Sequence, residues 1–390
     1  MLKLVSNPRP VSSERFRTVR VIDEYPAALA RSRKGRDAAT TDALAGERTC
    51  DVLRCLCHEI CVVAVMSVAA ASSTLYQCCR RRHARTGSAT SPYHDVAMAT
   101  PITSARRLSQ HNVRCTGRGD RAIVFAHGFG CDQQMWRFVA PAFEKDWRVV
   151  LFDHAGAGPA APAAYDQVRH ATLDGYADDL VAIAEALDLH EAVLVGHSVS
   201  ATIAMLAAIA APARFGRLVL VGPTPCYLND PPSYTGGFTP EQLDGLLTLM
   251  ADNYTAWADA LAPTIVGAVD APGDAGDTAR ARSGELRDSI CAMAPDVALA
   301  FARATFLEDH RATVPRVPIP SLILQSSEDA IAPASVGAWL AAHLPQSTFH
   351  QLAAVGHCPH MTQPEEVIQA IEGYLGATDL APAFALADVR

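Results

Sequence analysis

The 390-residue chain has no apolar run of the roughly 20 residues that a membrane helix needs; the longest candidate, Ile60 to Ala71, covers about 12. That argues against stable insertion in a bilayer. The run also lies too far from Met1 for a standard signal peptide. Phosphate-binding loops are missing as well. There is no Walker A pattern, and Gly156-Ala157-Gly158 is not a dinucleotide fingerprint, because Ala161 stands where the third glycine is needed. No internal repeat is visible. Cysteine does not form a framework: six of the 11 fall before residue 80 (Cys50, Cys55, Cys57, Cys61, Cys78, Cys79) and the rest are scattered. This usage suits reduced thiols in a cytoplasmic protein. Cys55, Cys57, Cys61, Cys78, Cys79 and His83 match no zinc-module spacing, so no metal is expected.

What is present is apolar and unevenly charged. Hydrophobic residues make up 49% and charged residues 19%, enough for a large core. Residues 1–97 hold 15 Lys and Arg against 9 Asp and Glu; the remainder holds 18 against 32. The acidic remainder is a poor partner for nucleic-acid phosphates. The basic segment 1–97, with its Arg clusters, reads as an extension outside the working domain, and Met98 reads as an alternative start. From about 113, short apolar strands alternate with helical patterns. Strands are expected at Arg121–Ala126, Trp147–Phe152, the run ending at Val195, Arg217–Val221, Ile319–Gln325 and Thr348–Leu352. Helices are expected at Leu173–Leu187, after Ser198, near Val336–Leu344 and at Pro364–Tyr374. This alternation predicts an α/β fold, a mostly parallel sheet flanked by helices, over residues 98–390. From about 222 to 314 the strand rhythm stops and the pattern turns mostly helical, as an inserted helical lid would.

The chemistry centres on Val195-Gly196-His197-Ser198-Val199-Ser200-Ala201. An apolar strand meets a serine among small residues, and an alanine-rich helix follows: a nucleophile elbow. The last position of G-x-S-x-G is Ser200 rather than glycine. A serine hydroxyl needs a base, and the base needs an orienting carboxylate. In sheets of this type both follow the serine, on loops after late strands. Asp329 is the expected carboxylate, with Glu328 as competitor; His357 is the expected base, with His360 as competitor. Singly, Asp329 reads as a helix cap and His357 as a loop histidine. In this chain order, together with Ser198, they read better as a triad.

A developing oxyanion needs backbone donors. The expected pair is the N–H of Phe129, in the loop His127-Gly128-Phe129-Gly130, and the N–H of Val199. His127 should order that loop, and His197 should shape the pocket floor. Aromatic residues of the insertion, Phe238, Tyr254, Trp257, Phe301 and Phe306, are candidates for a mostly apolar pocket, with Trp257 the first choice. Such a pocket favours a small hydrophobic ester, lactone or enol ether.

The segments HGFGCDQQMWRFVAPAF, LDGYADDLVAIAEALDL, VGHSVSA, VGPTPCYLNDPPSYTGGF, NYTAW, PSLILQSSEDAIAPASVG and GHCPHM resemble the RsbQ family of bacterial α/β-hydrolases. These are relatives of the plant karrikin and strigolactone receptors. The resemblance covers about 113–376. It implies a Ser-His-Asp core, a four-helix V-shaped lid over a hydrophobic pocket, and no metal or organic cofactor. Carried over by motif, the triad falls on Ser198, Asp329 and His357, the oxyanion donors on Phe129 and Val199, and lid contacts on Trp257 and Phe306. It further implies either turnover coupled to stress signalling through a partner phosphatase, or a sensor that hydrolyses slowly and signals by lid movement. The chain departs from the family in the apolar loop after Asp153, and at Leu261, where the plant receptors carry a bulky aromatic.

Overall fold

In the computed structural model, residues 104–158 and 164–379 are described. The expectations placed on residues 1–97, including the cysteine cluster and the alternative start, lie outside them. A short helix α1 (Ser104–Gln110) precedes seven strands: β1 (Arg114–Thr116), β2 (Ala122–Ala126), β3 (Arg148–Leu151), β4 (Ala192–His197), β5 (Phe215–Val221), β6 (Ser321–Glu328) and β7 (Ser347–Val355). They form one sheet in the order β1-β3-β2-β4-β5-β6-β7. β1 is antiparallel to β3, and every other pairing is parallel. Strands β2 and β4 are buried along their whole length. That is the consequence of helices covering both faces, and it explains why these strands read as continuous apolar runs. The covering helices are α2 (Leu173–Ala186), α3 (Val199–Ala210), α8 (Ala334–His343), the single turn α9 (Pro359–Thr362) and α10 (Pro364–Asp379).

The sheet positions the site through its strand order. From β2 the chain goes to β3 on one side and then to β4 on the other. The loops leaving the carboxyl ends of β2 and β4 therefore diverge, and the space between them is where sheets of this class hold ligands. Those two loops are HGFG and the elbow.

Between β5 and β6 lie four helices: α4 (Pro240–Asp252), α5 (Tyr254–Val266), α6 (Gly273–Ala292) and α7 (Pro295–Leu307). Local chemistry sets their ends. Thr239 and Gln242 form a reciprocal capping box at the start of α4. The Asn253 side chain caps α5 by accepting from the Ala256 N–H at 3.0 Å. α6 and α7 meet at a break bent by 110°. Among the described residues no single helix is long and apolar enough to cross a membrane.

Two differences from the sequence expectation have clear causes. The first part of the insertion, 222–239, is not helical; Pro223, Pro225, Pro231 and Pro232 withhold the N–H groups a helix needs, and the chain folds back through a bridge between Leu228 and Phe238. And β6 runs on past Gln325 to Glu328, because β7 offers partners through the pair Glu328–Val355 across a register shift.

Candidate active site

The elbow is built by close approach. Ser198 has φ 57° and ψ −122°, a conformation that costs an L-residue on the order of 1–3 kcal/mol. It is held by the bond from its N–H to the Val221 carbonyl, 2.9 Å. A Cβ at Gly196 would come within 2.3 Å of the Ser200 carbonyl oxygen, so strand and helix can pass only with glycine there. Ser198 is 6% exposed, at the floor of a cavity.

Three side chains line up across the loops after β4, β6 and β7. The Ser198 hydroxyl donates to His357 Nε2 at 2.7 Å, and His357 Nδ1–H donates to Asp329 Oδ2 at 2.7 Å. Asp329 Oδ1 accepts the N–H groups of Ile331 and Ala332 at 2.8 and 2.9 Å. Both carboxylate oxygens are thus committed, which fixes the carboxylate plane and the imidazole tautomer. Glu328 is exposed at the end of β6, and His360 makes no hydrogen bond among the described residues. The geometry therefore joins Asp329 and His357, not their competitors, to Ser198.

The backbone of His357 is held from the insertion. Its N–H donates to the Ile265 carbonyl at 2.8 Å, and its carbonyl accepts from His197 Nε2–H at 2.8 Å. Gly356 has φ 96°, and a Cβ there would lie 1.8 Å from the Val266 carbonyl oxygen. The end of α5 thus touches the loop that carries the imidazole. His197, foreseen as pocket floor, lines the cavity and also anchors this loop. Burial, with His360 and His357 nearby, pushes its pKa well below the usual value, so the ring stays neutral.

The loop after β2 lies against the serine. At Gly128 a Cβ would meet His197 Nδ1 at 2.4 Å and the Ser198 Cβ at 3.5 Å. Among the described residues the N–H groups of Phe129 and Val199 have no protein acceptor, Val199 because it opens α3. Both are free to meet an oxyanion. Ser200 explains the missing elbow glycine. Its hydroxyl donates to the His127 carbonyl and accepts from His154 Nε2–H at 2.7 Å, while the His154 N–H donates to His127 Nε2 at 3.0 Å. One hydroxyl thereby ties the loops after β2 and β3 to α3. Ser200→Ala would leave the His127 carbonyl and His154 Nε2–H buried and unpaired. We expect a loss of about 2–4 kcal/mol in stability, measured by urea denaturation; an unchanged midpoint would deny the network that role.

The cavity is walled by Phe129, Tyr227, Phe238, Leu261, Ile265 and Phe306, among others. Of the aromatic candidates, Phe238 and Phe306 reach it. Trp257, Tyr254 and Phe301 stand behind: Trp257 is edge-on to Phe129 at 6.1 Å and stacked with Tyr254 at 6.0 Å, and Phe301 is stacked on Tyr176 at 4.3 Å. Sequence reasoning gave no role to Tyr227, Cys131 or Cys358, which also line the cavity. For Tyr227 a signal existed, its position in the loop following β5. The free volume is only about 30 Å³, room for one or two waters.

For a metal, His197, Cys358 and His360 bring ligand atoms within 4.8 Å of one another. His197 Nε2 is already bonded to the His357 carbonyl, and its Nδ1 faces Gly128. Even with His197 Nδ1, which has no hydrogen-bond partner, the group supplies three ligand atoms, one short of a closed tetrahedral site.

A parallel sheet, a strained serine between β4 and α3, and a histidine and aspartate from late loops define the α/β-hydrolase class. The profile of the alpha/beta hydrolase fold family matches residues 121–364, and the chain belongs to that family. It is 41% identical over 263 residues to a probable esterase of Oryza sativa subsp. japonica, covering 67% of this chain and 94% of that protein. Similarity to a strigolactone esterase of Arabidopsis thaliana is 38% over 269 residues, 67% of this chain and 97% of that one. The karrikin insensitive 2 receptor CA of Petunia hybrida is 38% identical over 262 residues, 67% and 94% of the two chains. Among solved structures, olei00960, a hydrolase from Oleispira antarctica, superposes with a TM-score of 0.67 at 37% identity, over 70% of this chain and 97% of that one.

Proposed function

We propose that the protein is a serine hydrolase of receptor type, taking a small apolar ester or lactone and using Ser198 as nucleophile, His357 as base and Asp329 as the orienting carboxylate. The observation that carries this reading is the relay Asp329–His357–Ser198, with both links at 2.7 Å, at the floor of an apolar cavity. Ser198 Oγ attacks the carbonyl carbon while its proton passes to His357 Nε2. The carbonyl π electrons move to oxygen, which the N–H groups of Phe129 and Val199 stabilise. On collapse the bond to the leaving oxygen breaks, and His357 returns the proton to it. Water then hydrolyses the acyl-enzyme by the same route.

The receptor side of the reading rests on two observations. The relatives reported above are plant esterases and receptors rather than stress regulators, so a sensor is favoured over the stress-signalling role and phosphatase partner that the RsbQ motifs suggest. And a cavity of about 30 Å³, about half of whose lining residues come from the insertion, is far smaller than a usual ligand pocket of about 300–1,000 Å³, which favours entry by movement of the insertion. In this reading helices α4–α7 act as a lid, with Phe306 touching the ligand and Trp257 backing Phe129. The end of α5 links lid position to His357 through the Ile265 carbonyl. A cytoplasmic location fits the free state of Cys115, Cys131, Cys226, Cys291 and Cys358.

Stopped-flow mixing with p-nitrophenyl acetate tests the first half. We expect a burst of about one p-nitrophenolate per chain and an acetyl group on the Ser198 peptide. Acetyl on another residue would displace Ser198. Hydrogen exchange tests the second half: protection within 240–307 should change during turnover, and an unchanged insertion would leave a plain esterase.

A further inference from the structure

Among the described residues the cavity is lined by one phenol. Tyr227 lies 2% exposed in the loop after β5, and its hydroxyl oxygen is 3.5 Å from Ser198 Oγ. The serine's single proton is directed to His357 Nε2, so the phenol is the donor in this pair. We propose that Tyr227 is a further catalytic residue, donating a hydrogen bond to the departing oxygen of the tetrahedral adduct on Ser198. The proposal rests on the acyl-transfer reading above and adds to it.

The argument goes by elimination among the oxygens of the adduct. Its carbon carries Ser198 Oγ, the oxyanion and the leaving oxygen. The oxyanion faces the N–H groups of Phe129 and Val199. The leaving oxygen is bonded to the same carbon as Oγ, hence about 2.3–2.4 Å from it by ordinary bond lengths, on the side the backbone donors do not occupy. A hydroxyl poised against Oγ reaches that neighbour with little motion. Full proton transfer remains with His357; the phenol shares the charge that builds on the oxygen as its bond to carbon breaks.

Its surroundings suit the task. The Tyr227 carbonyl accepts from the Phe238 N–H at 3.1 Å, and the Tyr234 hydroxyl donates to the neighbouring Cys226 carbonyl at 2.6 Å. Phe306 packs edge-on against the ring at 4.8 Å. The hydroxyl is therefore aimed by fixed backbone and ring contacts, and a fixed dipole needs no reorganisation during reaction. Burial pushes the phenol up to about 12, so it keeps its proton throughout the working range.

Tyr227→Phe keeps the ring and removes only the donor. The wild type and this variant should be compared on p-nitrophenyl acetate, whose leaving group needs no help, and on an alkyl acetate, whose leaving group is strongly basic. We expect kcat/KM, which reports acylation, to fall about 10- to 100-fold on the alkyl ester and by less than about threefold on p-nitrophenyl acetate. A loss that does not grow with leaving-group basicity, or no loss on either ester, overturns the proposal while leaving the hydrolase reading intact. A wild type that is neither acetylated on Ser198 nor able to turn over p-nitrophenyl acetate removes both.

Discussion

Ser198→Ala is expected to abolish acyl-enzyme formation, lowering kcat by on the order of 10⁴–10⁶-fold, while the fold survives. The activity loss follows from the relay. His357 and Asp329 activate nothing once the hydroxyl is gone, and water placed by the remaining donors is a poor substitute. The fold survives because Ser198 holds its conformation through its backbone N–H to Val221, which alanine retains. Only the hydroxyl's contacts with His357 and Tyr227 are removed, and both partners border the cavity. Burst kinetics and a thermal melt check the two halves of this expectation. Turnover near the wild-type level in the variant would exclude Ser198 as nucleophile. The same variant separates the two functional readings. If the insertion still changes its hydrogen exchange with an uncleaved lactone, ligand binding is sufficient for the response; if not, the response requires acylation.

The second large effect is acid lability. His154 and His197 have pKa values pushed well below the ordinary 6.5, and His360 is pushed down to about 3, each chiefly by burial. His127 is shifted the same way, again by burial, against the opposing pull of Asp153. In the unfolded chain all four would titrate near 6.5. Below that pH the unfolded state binds protons that the folded state refuses, so stability is fully present above about 6.5 and falls as the pH drops. Each ring costs about 1.4 kcal/mol per pH unit in this window, so His154, His197 and His360 together cost about 4 kcal/mol per unit. Over the roughly 1.5 units between pH 6.5 and 5 the three rings together remove about 5 kcal/mol, a third or more of a typical stability of about 5–15 kcal/mol. Melting temperature measured from pH 8 to 5 checks this. A plateau above 6.5 and a steep fall below it are expected; a flat profile would mean that these rings are hydrated or protonated in the fold.

Much of the arrangement was legible in the residues. The run EAVLV-GHS-VSATIAM declares strand, turn and helix, because side-chain periodicity and the small residues needed at a tight elbow are local properties. The order Ser198, Asp329, His357 was legible for a related reason: in a parallel sheet every site residue must come from a loop at the same end of its strand. The tertiary elements were less so. Glu328 and Asp329 are adjacent and chemically alike. What separates them is a register shift between β6 and β7 after Ser326, which leaves Glu328 paired with Val355 and exposed, and Asp329 beyond it facing His357. No pattern within SSED encodes that shift, because half of the pairing belongs to β7.

Ser200 makes the same point from the other direction. By sequence it breaks a glycine pattern; in the fold it is the hydroxyl joining His127 and His154. Trp257 was the most attractive pocket aromatic by composition, yet its ring backs Phe129 while Tyr227, from a proline-rich loop, faces the serine. The sequence alone determined the fold class, the elbow and the chemical kind of each partner, because these depend on periodicity and residue type. The tertiary structure alone decided which carboxylate meets the imidazole, which aromatics line the cavity, and how the insertion holds His357. Those contacts join residues far apart in the chain, Phe129 with Phe306 and Ile265 with His357, and their geometry is set by strand register and helix packing.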